Sequence, residues 1–227
     1  MSDEQPIDAL IFDMDGTLVD SEPYAERAWE DFLREHGHEL HDRVLGRMFG
    51  LRLLEGAAVV KEAYGLDLTV EAIAEMQDEL RLAALKGNLE AMPGAGALIA
   101  FARAAGLRLA LATSSLRHHA DLSLAETELA GLFDAEVTGD EVRHGKPAPD
   151  IFLLASDRLG VGPERCVVFE DSPAGVAAAL AANMRCLWVP SGKTTGLPAE
   201  QPPTATLPDL GAAIPWLEER RVTARTS

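Results

Sequence analysis

Asp13 and Asp15 lie two residues apart, directly after the mostly apolar segment 7–12. Side chains alternate along a β-strand, so an extended continuation directs both carboxylates to one side at the strand's carboxyl end, where open α/β sheets bind ligands. Two close carboxylates are tolerated when a divalent cation lies between them, or when one is protonated for acid-base catalysis. Gly16 then lets the backbone approach a ligand closely. An isolated Asp-x-Asp is more often a plain polar turn, so other segments must decide.

A second strand-like segment ends in hydroxyl side chains. Residues 107–112 are mostly apolar and run into Thr113, Ser114 and Ser115, ahead of a helical pattern. Hydroxyls and free backbone N–H groups at the start of a helix can hold a phosphate group. Serine and threonine are also ordinary N-caps, so this segment is weak evidence by itself.

A third strand-like segment, 166–169, ends in the consecutive acids Glu170 and Asp171. When another strand end delivers carboxylates to the same sheet edge, a hard-cation site explains them better than solvation does. Lys146 lies between a glycine and Pro147, whose ring stiffens the backbone, and a lysine held in this way suits a fixed anion. Together these segments predict a site for a metal ion and a phosphate group.

The four segments are DMDGT (13–17), ATSS (112–115), KPAPD (146–150) and FEDS (169–172). In this order they resemble the motifs of the haloacid dehalogenase superfamily of phosphotransferases, and the similarity covers nearly the whole chain. The resemblance implies that Asp13 is a nucleophile that the substrate phosphorylates. It also implies that Asp15 protonates the leaving alcohol and then deprotonates the attacking water.

The resemblance further implies how the phosphate group is held. Thr113 and backbone N–H groups near it would bind phosphate oxygens, and Lys146 would neutralise the nucleophile and the transferring group. Mg²⁺ would be bound by Asp13, the main-chain carbonyl of Asp15, and Asp171, with Glu170 close or ligating. Electrostatics agree, because each unscreened pair of like charges at about 4 Å costs several kcal/mol near a protein surface. A phosphate dianion therefore needs the metal and the lysine before it can approach.

The spacing of these segments predicts an α/β fold. We expect a Rossmann-like parallel sheet core at residues 1–19 and 91–227, with an inserted all-helical cap domain at residues 20–90. About seventy residues separate the first two strands, far more than a doubly wound unit needs. Amphipathic spacing and helix start and stop signals predict the cap helices 20–37, 53–64 and 70–86.

Further helices are predicted in the core, with the following bounds: 97–105, 151–159 with Asp150 as N-cap, 174–183 with Ser172 as N-cap, and 215–221 with Ile214, Trp216 and Leu217 against the core. Residues 191–208 are rich in Pro, Thr and Gly and are predicted to form a loop.

The cap resembles those that exclude water and carry specificity residues. Its segment 46–52 contains glycines for a turn and two arginines for an anion. Arg52 first and Arg47 second are the candidate substrate contacts, although a surface arginine is usually just solvated.

Composition limits the remaining possibilities. The chain has 227 residues, 47% of them apolar, and a formal net charge of −17, which argues against nucleic acid and anionic membranes as partners. No apolar run reaches the roughly 18 residues of a membrane span, and the short acidic N-terminus does not resemble a secretion signal. We expect a cytoplasmic monomer. Cys166 and Cys186 are expected as buried free thiols, and His118 and His119 as exposed side chains at a helix start.

Three functions remain open. Sugar phosphomutases of this group carry a cap histidine after a D-T-A-E-Y-type stretch, and Ala25 occupies that position here. The segment DMDGTLVDSEP is instead similar to that of sugar-phosphate phosphatases. We therefore expect a Mg²⁺-dependent phosphatase that hydrolyses a small phosphate monoester, such as a sugar phosphate, through a phosphoaspartate, with a β-phosphoglucomutase-type mutase as the alternative. A receiver-like module that only carries phosphate is the non-enzyme alternative, but such modules are much shorter and lack a helical insertion.

Overall fold

The computed structural model describes residues 5–192, 194, 196 and 201–220 of the chain. Its strands are β1 (Ala9–Phe12), β2 (Arg108–Ala112), β3 (Ala135–Val137), β4 (Cys166–Glu170), β5 (Arg185–Trp188) and β6 (Ala205–Thr206). They form a six-stranded parallel sheet in the order β3-β2-β1-β4-β5-β6. The predicted α/β class with a parallel sheet is confirmed.

The register of the sheet brings the ends of three strands to one level. Phe12 at the end of β1 pairs with Leu111 of β2 and Phe169 of β4. Parallel strands all end at the same edge, so the polar residues that follow β1 and β2 and those that end β4 must meet there. This register, rather than any local feature, brings distant segments together. Asp13 and Lys146, for example, are 133 residues apart in sequence.

Helices connect the strands and cover the sheet. They are α1 (Glu22–Glu35), α2 (Asp42–Leu45), α3 (Leu53–Tyr64), α4 (Val70–Leu85), α5 (Ala95–Ala104), α6 (Arg117–Glu126), α7 (Asp150–Leu159), α8 (Pro173–Ala181) and α9 (Ala213–Glu219). The hydroxyl of Ser172 accepts a hydrogen bond from the backbone N–H of Gly175, so the predicted N-cap of α8 is confirmed. The hydroxyl of Thr69 caps α4 in the same way through Ala72.

Both faces of β1 are buried. Leu10 and Phe12 belong to an apolar cluster that includes side chains of α5, α6 and α9, whereas Ala9 and Ile11 belong to a second cluster with α7 and α8. The rings of Phe12 and Phe169 stack with centroids 4.9 Å apart, a contact that typically adds about 0.5–1.5 kcal/mol to the gain from burial. Burial on both faces explains why β1 is a continuous apolar run.

Helices α1 to α4 form the insertion between β1 and α5. They have an apolar cluster of their own, which includes Trp29, Phe32, Val60 and Ile73. The backbone enters and leaves the insertion through adjacent segments, because Asp20 N donates to Glu90 O at 3.0 Å. The insertion is therefore helical, as predicted, while the division into two domains at these residues stays a prediction.

The last helix and the loop before β6 differ from the sequence prediction. Helix α9 begins at Ala213, two residues before Pro215, because a 3-10 turn at 210–212 leads directly into it. Pro215 lies in its first turn, where a missing N–H costs no intrahelical bond. The predicted end at Arg221 lies outside the described residues. Ala205–Thr206 is strand β6 rather than loop, because it completes the sheet beside β5.

Two further predictions are corrected by the packing. Asp150 is the first residue of α7 and not its N-cap, which is Pro149; its carboxylate instead contacts His144 Nδ1 at 2.9 Å. The side chain of His119, which contacts Asp78 of α4, is only 1% exposed, whereas that of His118 is 46% exposed. The expected exposure of both histidines is therefore wrong for His119.

Cys166 and Cys186 are buried free thiols, as expected, and burial raises the pKa of both. No helix in the described part of the chain combines the length and the apolar composition that crossing a membrane requires.

Candidate active site

A buried ionic cluster lies at the carboxyl edge of the sheet. The Lys146 ammonium is 2.6 Å from Asp13 Oδ1 and also donates to Glu170 Oε1. Burial by itself would lower the pKa of Lys146, but the two carboxylates raise it above its usual value, so the lysine stays charged. The structure thus places Lys146 between the residue that follows β1 and the residue that ends β4.

Glu170 connects this cluster to α8. Its second oxygen, Oε2, accepts hydrogen bonds from the backbone N–H and the hydroxyl of Ser172, each at 2.9 Å. Both carboxylate oxygens of Glu170 are thus engaged with groups of the protein itself. The geometry assigns Glu170 the task of positioning Lys146 and the start of α8, in addition to any contact with a metal ion.

Asp13 and Asp171 face each other with little compensation of charge. A carboxylate oxygen from each, together with one from Glu170, lies within 4.8 Å of the others. Burial, opposed by Lys146 and reinforced by Glu170, raises the pKa of Asp13 to about 8. Burial and the neighbouring carboxylates raise the pKa of Asp171 well above its usual value. One lysine cannot balance three buried carboxylates, so this group suits a divalent cation.

Gly16 lies against the Asp171 carboxylate. Its φ of +79° lies in the left-handed region, and a Cβ at this position would collide with the Asp171 carboxylate. Only glycine satisfies both the backbone angle and the close approach.

Asp15 points to a different set of partners. Its carboxylate accepts hydrogen bonds from Ser21 Oγ at 2.5 Å, Ser115 Oγ at 2.6 Å and Arg81 Nη2 at 2.8 Å. Burial by itself would raise the pKa of Asp15, but Arg81 and the two hydroxyls lower it below its usual value. The carboxylate is therefore ionised and held in one orientation.

Arg81 and Glu22 were not among the residues that the sequence predicted. Arg81 is the only basic residue of α4, which was a usable signal, and its guanidinium also donates to Ser115 Oγ at 3.1 Å. Glu22 lies beside Gly16 and Asp171 at the start of α1, and burial raises its pKa. Both residues come from the helical insertion, so that segment completes the site.

The hydroxyl segment after β2 is tied to its surroundings in three ways. Thr113 is buried, and its Oγ1 accepts a hydrogen bond from the N–H of Ser115 at 3.1 Å. Ser114 Oγ donates to Gly50 O of the insertion at 2.7 Å. Ser115 Oγ donates to Asp15. The segment lies beside the two aspartates, while its role in holding phosphate stays a prediction.

The two candidate arginines of the insertion are placed differently. Arg52 donates from Nη2 to Glu55 Oε1 at 2.6 Å and from Nη1 to Val142 O at 3.1 Å. A Cβ on Gly145 would come within 2.6 Å of Arg52 Nε, so this arginine packs against the loop that carries Lys146. Arg47 forms an exposed ion pair with Glu62 at 3.0 Å.

A cavity between the insertion and the sheet edge is lined by both aspartates of the first segment and by side chains of the insertion. Arg52 lines this cavity, whereas Arg47 is not among the residues that line it. Apolar side chains of the insertion form much of its wall, and Ala25 is among the residues that line it. The wall residues include Asp13, Asp15, Glu22, Trp29, Met48, Phe49, Arg81, Ser114, Ser115 and Asp171.

The fold and the site define a class of enzyme, the hydrolases of the haloacid dehalogenase type. A model of the haloacid dehalogenase-like hydrolase family matches residues 7–183, and the chain belongs to this family.

Comparisons with individual proteins agree. The chain is 35% identical over 182 residues to the phosphorylated carbohydrates phosphatase of Thermotoga maritima, and the matched region covers 80% of this chain and 84% of that protein. It is 38% identical over 176 residues to the fructose-1-phosphate phosphatase YqaB of Escherichia coli, with coverage of 77% and 92%. The crystal structure of CbbY from Rhodobacter sphaeroides in complex with phosphate is similar with a TM-score of 0.79 at 29% identity, over 90% of this chain and 95% of that chain.

Proposed function

We propose that the protein is a Mg²⁺-dependent phosphatase that hydrolyses a small phosphate monoester, most simply a sugar phosphate, through a phosphoaspartate. One observation carries this proposal. Asp13, paired with Lys146 and facing Asp171, opens onto the same cavity as Asp15, whose carboxylate has separate partners. A nucleophile and an acid-base group with different environments at one cavity are what two-step phosphoryl transfer needs.

The side chains perform the two steps as follows. Asp15, which must first take up a proton because its carboxylate is ionised in this structure, acts as the acid. An oxygen of Asp13 attacks phosphorus, and the bond from phosphorus to the leaving alkoxide breaks while Asp15 donates that proton to the alkoxide. Water then attacks phosphorus, Asp15 takes its proton, and the bond from Asp13 to phosphorus breaks to release inorganic phosphate. Lys146 offsets the negative charge of the nucleophile and the phosphoryl group throughout.

The carboxylate cluster fits a magnesium ion. Asp13, Asp171 and the main-chain carbonyl of Asp15 would hold it, with Glu170 close, and oxygen ligands of this kind are those that Mg²⁺ prefers. The ion would supply charge neutralisation and orientation for the phosphate dianion. The raised pKa values of Asp13 and Asp171 support the assignment, because they mark negative charge that the protein's own cations do not balance.

The substrate class follows from the cavity and the relatives. The cavity that the reacting carboxylates line has two cationic side chains, Arg52 and Arg81, in its wall. Relatives named for phosphorylated carbohydrates and for fructose 1-phosphate cover most of the chain. We propose residues 20–90 as a cap domain that closes over such a substrate and excludes water. A cytoplasmic location and a monomeric state stay predictions.

A phosphatase is favoured over a mutase. Ala25 lines the cavity, at the position where the resembling mutases carry a histidine. An alanine cannot couple closure of the cap to alignment of an acid or base. Without that coupling, the phosphoaspartate is more open to attack by water.

A panel of phosphate esters tests the proposal. Purified protein with Mg²⁺ is assayed for inorganic phosphate with fructose 1-phosphate, hexose 6-phosphates, phosphoglycolate and nucleoside monophosphates. We expect stoichiometric phosphate from at least one sugar phosphate and none in EDTA, with Ca²⁺ as an inhibitor. A coupled assay with glucose 1-phosphate and a bisphosphate primer tests the mutase. Formation of glucose 6-phosphate faster than free phosphate would make the phosphatase assignment wrong. Full activity in EDTA would contradict the proposed requirement for Mg²⁺.

A further inference from the structure

A second group of metal-ligating side chains lies outside the active site, where α4 of the insertion meets α6 of the core. Asp78 of α4 and the adjacent His118 and His119 of α6 each offer one ligand atom, and the three atoms lie within 4.8 Å of one another. Asp78 Oδ1 is 3.1 Å from His118 Nε2 and 3.0 Å from His119 Nε2. Two imidazoles thus converge on one carboxylate oxygen across the contact between the helices.

The spacing of these atoms suits a tetrahedral metal ion. Zinc binds imidazole nitrogen and carboxylate oxygen at about 2.0–2.2 Å, so neighbouring ligand atoms in a tetrahedral site lie about 3.3–3.5 Å apart. The two nitrogen-to-oxygen distances are within a few tenths of an ångström of that value. An ion placed among the three would require these two distances to widen by a few tenths of an ångström.

One ligand atom lacks a hydrogen bond. Nε2 of His119 is buried and makes none, although it lies 3.0 Å from Asp78 Oδ1, so the two atoms are close but not aligned for a bond. The side chain of His119 is only 1% exposed. A buried imidazole nitrogen without a partner costs free energy, and coordination to a cation would satisfy it.

The surrounding charges favour a neutral histidine. Burial and the nearby Arg81 lower the pKa of His119 to about 4, so its ring is uncharged and free to coordinate at neutral pH. Arg81 and the amino end of α6 oppose a cation here, whereas Asp78 and the strongly acidic chain favour one. Asp78 also lies on the wall of a second cavity, beside Glu75 and Asp140, which gives an ion a path from solvent.

We propose that Asp78, His118 and His119 form a binding site for a transition-metal ion of the Zn²⁺ type, and that the ion fastens α4 of the insertion to α6 of the core. Solvent supplies the fourth ligand through the exposed side of His118. The site is separate from the Asp13 cluster and does not depend on the activity proposed above. Its ligands are two nitrogens and one oxygen, which select Zn²⁺ or Co²⁺ over Mg²⁺.

Binding of Zn²⁺ to metal-free protein tests the site directly. Titrations by calorimetry, with excess Mg²⁺ present to occupy the carboxylate cluster, compare wild type with His118→Ala and Asp78→Asn. Both side chains are partly exposed, so the variants should fold, which thermal unfolding checks. Loss of an outer-shell partner alone typically weakens metal binding about 10–100-fold, so removal of a direct ligand should cost at least about 100-fold. The tetrahedral absorption of bound Co²⁺ should disappear in both variants.

His41→Ala is the matched control, because it removes an exposed histidine of the insertion that lies outside the cluster. It should bind Zn²⁺ like wild type. Zn²⁺ should also slow hydrogen exchange of amides in α4 and α6 in wild type and in the control, but not in His118→Ala. Equal affinity and stoichiometry in all four proteins, or a wild type that binds no Zn²⁺, would overturn the proposal. Normal Zn²⁺ binding without the change in hydrogen exchange would contradict the proposal that the ion joins α4 to α6.

Discussion

Asp13 and Asp15 are separated by one residue, yet they belong to differently built regions. The partners of Asp13 come from the sheet edge alone: Lys146, Glu170 and Asp171. The partners of Asp15 come from both parts of the molecule, since Arg81 and Ser21 lie on the side of the insertion and Ser115 follows β2. The surroundings raise the pKa of Asp13 to about 8 and lower that of Asp15.

This difference separates two tasks. The strand register and the buried Lys146 hold the Asp13 region in place, and its excess of negative charge suits a metal ion. The Asp15 region depends on α4 being in place, so movement of the insertion would change the proton affinity of Asp15. A group that must first give a proton and later accept one benefits from such control. Four substitutions test this division.

Asp13→Asn should have the largest effect. The amide is nearly isosteric but cannot form a phosphoaspartate, so phosphate release should fall at least about 100-fold while the protein stays folded. Steady-state phosphate release and thermal unfolding measure the two properties. Asp121→Asn, an exposed aspartate of α6, is the control and should be fully active. Activity above about a hundredth of wild type would show that Asp13 is not the nucleophile.

Lys146→Met should inactivate the enzyme and also destabilise it. It leaves Asp13 and Glu170 buried without their cation, and breaking a buried ion pair in this way typically costs about 3–5 kcal/mol. The free energy of unfolding in urea measures the loss. Lys86→Met removes an exposed lysine and should change stability by less than about 0.5 kcal/mol. A stable, inactive Lys146→Met would mean that the lysine serves catalysis alone.

Arg81→Met tests the dependence of Asp15 on the insertion. Loss of the guanidinium should raise the pKa of Asp15, because Arg81 favours the ionised carboxylate. The basic limb of the pH profile of kcat/KM, where Asp15 acts as the acid, should therefore move to higher pH. We expect kcat/KM to fall about tenfold or more, since a hydrogen bond to a charged group contributes about 1.5–3 kcal/mol.

The control for Arg81→Met is Arg34→Met, which breaks an exposed ion pair with Asp31 on α1. It should leave the pH profile unchanged, because exposed pairs contribute little and lie far from the acid-base group. An identical profile in wild type and Arg81→Met would contradict control of Asp15 by α4.

Ser114→Ala should have the smallest effect. It removes the 2.7 Å hydrogen bond to Gly50 O, which joins the hydroxyl segment to the insertion. Ser156→Ala removes a hydrogen bond of the same length, to Val161 O, within the core. Both variants should lose about 1 kcal/mol of stability, but only Ser114→Ala should raise KM, by a fewfold. Equal kinetics in the two variants would show that this contact does not help to place the insertion.

Much of the site could be predicted because local sequence carries its signals. The acids and hydroxyls follow apolar runs of strand length, and such runs predict that their ends meet in a parallel sheet. The helix over residues 53–64 was predicted with the bounds that the structure has, because its amphipathic spacing is a local signal. Ser172 was predicted as an N-cap because its hydroxyl and Pro173 are both local signals.

Other features depended on contacts between distant segments. His119 is buried and contacts Asp78 of α4, 41 residues earlier in the chain, and nothing in the pair His118-His119 indicates that. Strand β6 has two residues, too few for a periodic pattern, and exists because β5 offers it an edge. The position of Arg81 on Asp15 joins residues 66 apart in sequence.

The sequence by itself determined the chemical groups, their order and the parallel sheet that brings them to one edge, because strand patterns and turn residues are local properties. Only the tertiary structure decided how those groups differ from each other. The pKa of a carboxylate depends on its burial and on charges a few ångströms away. Burial and Glu170 raise the pKa of Asp13, whereas Arg81 of α4 and two hydroxyls lower that of Asp15, so the folded chain makes two aspartates unlike that are nearly equivalent in sequence.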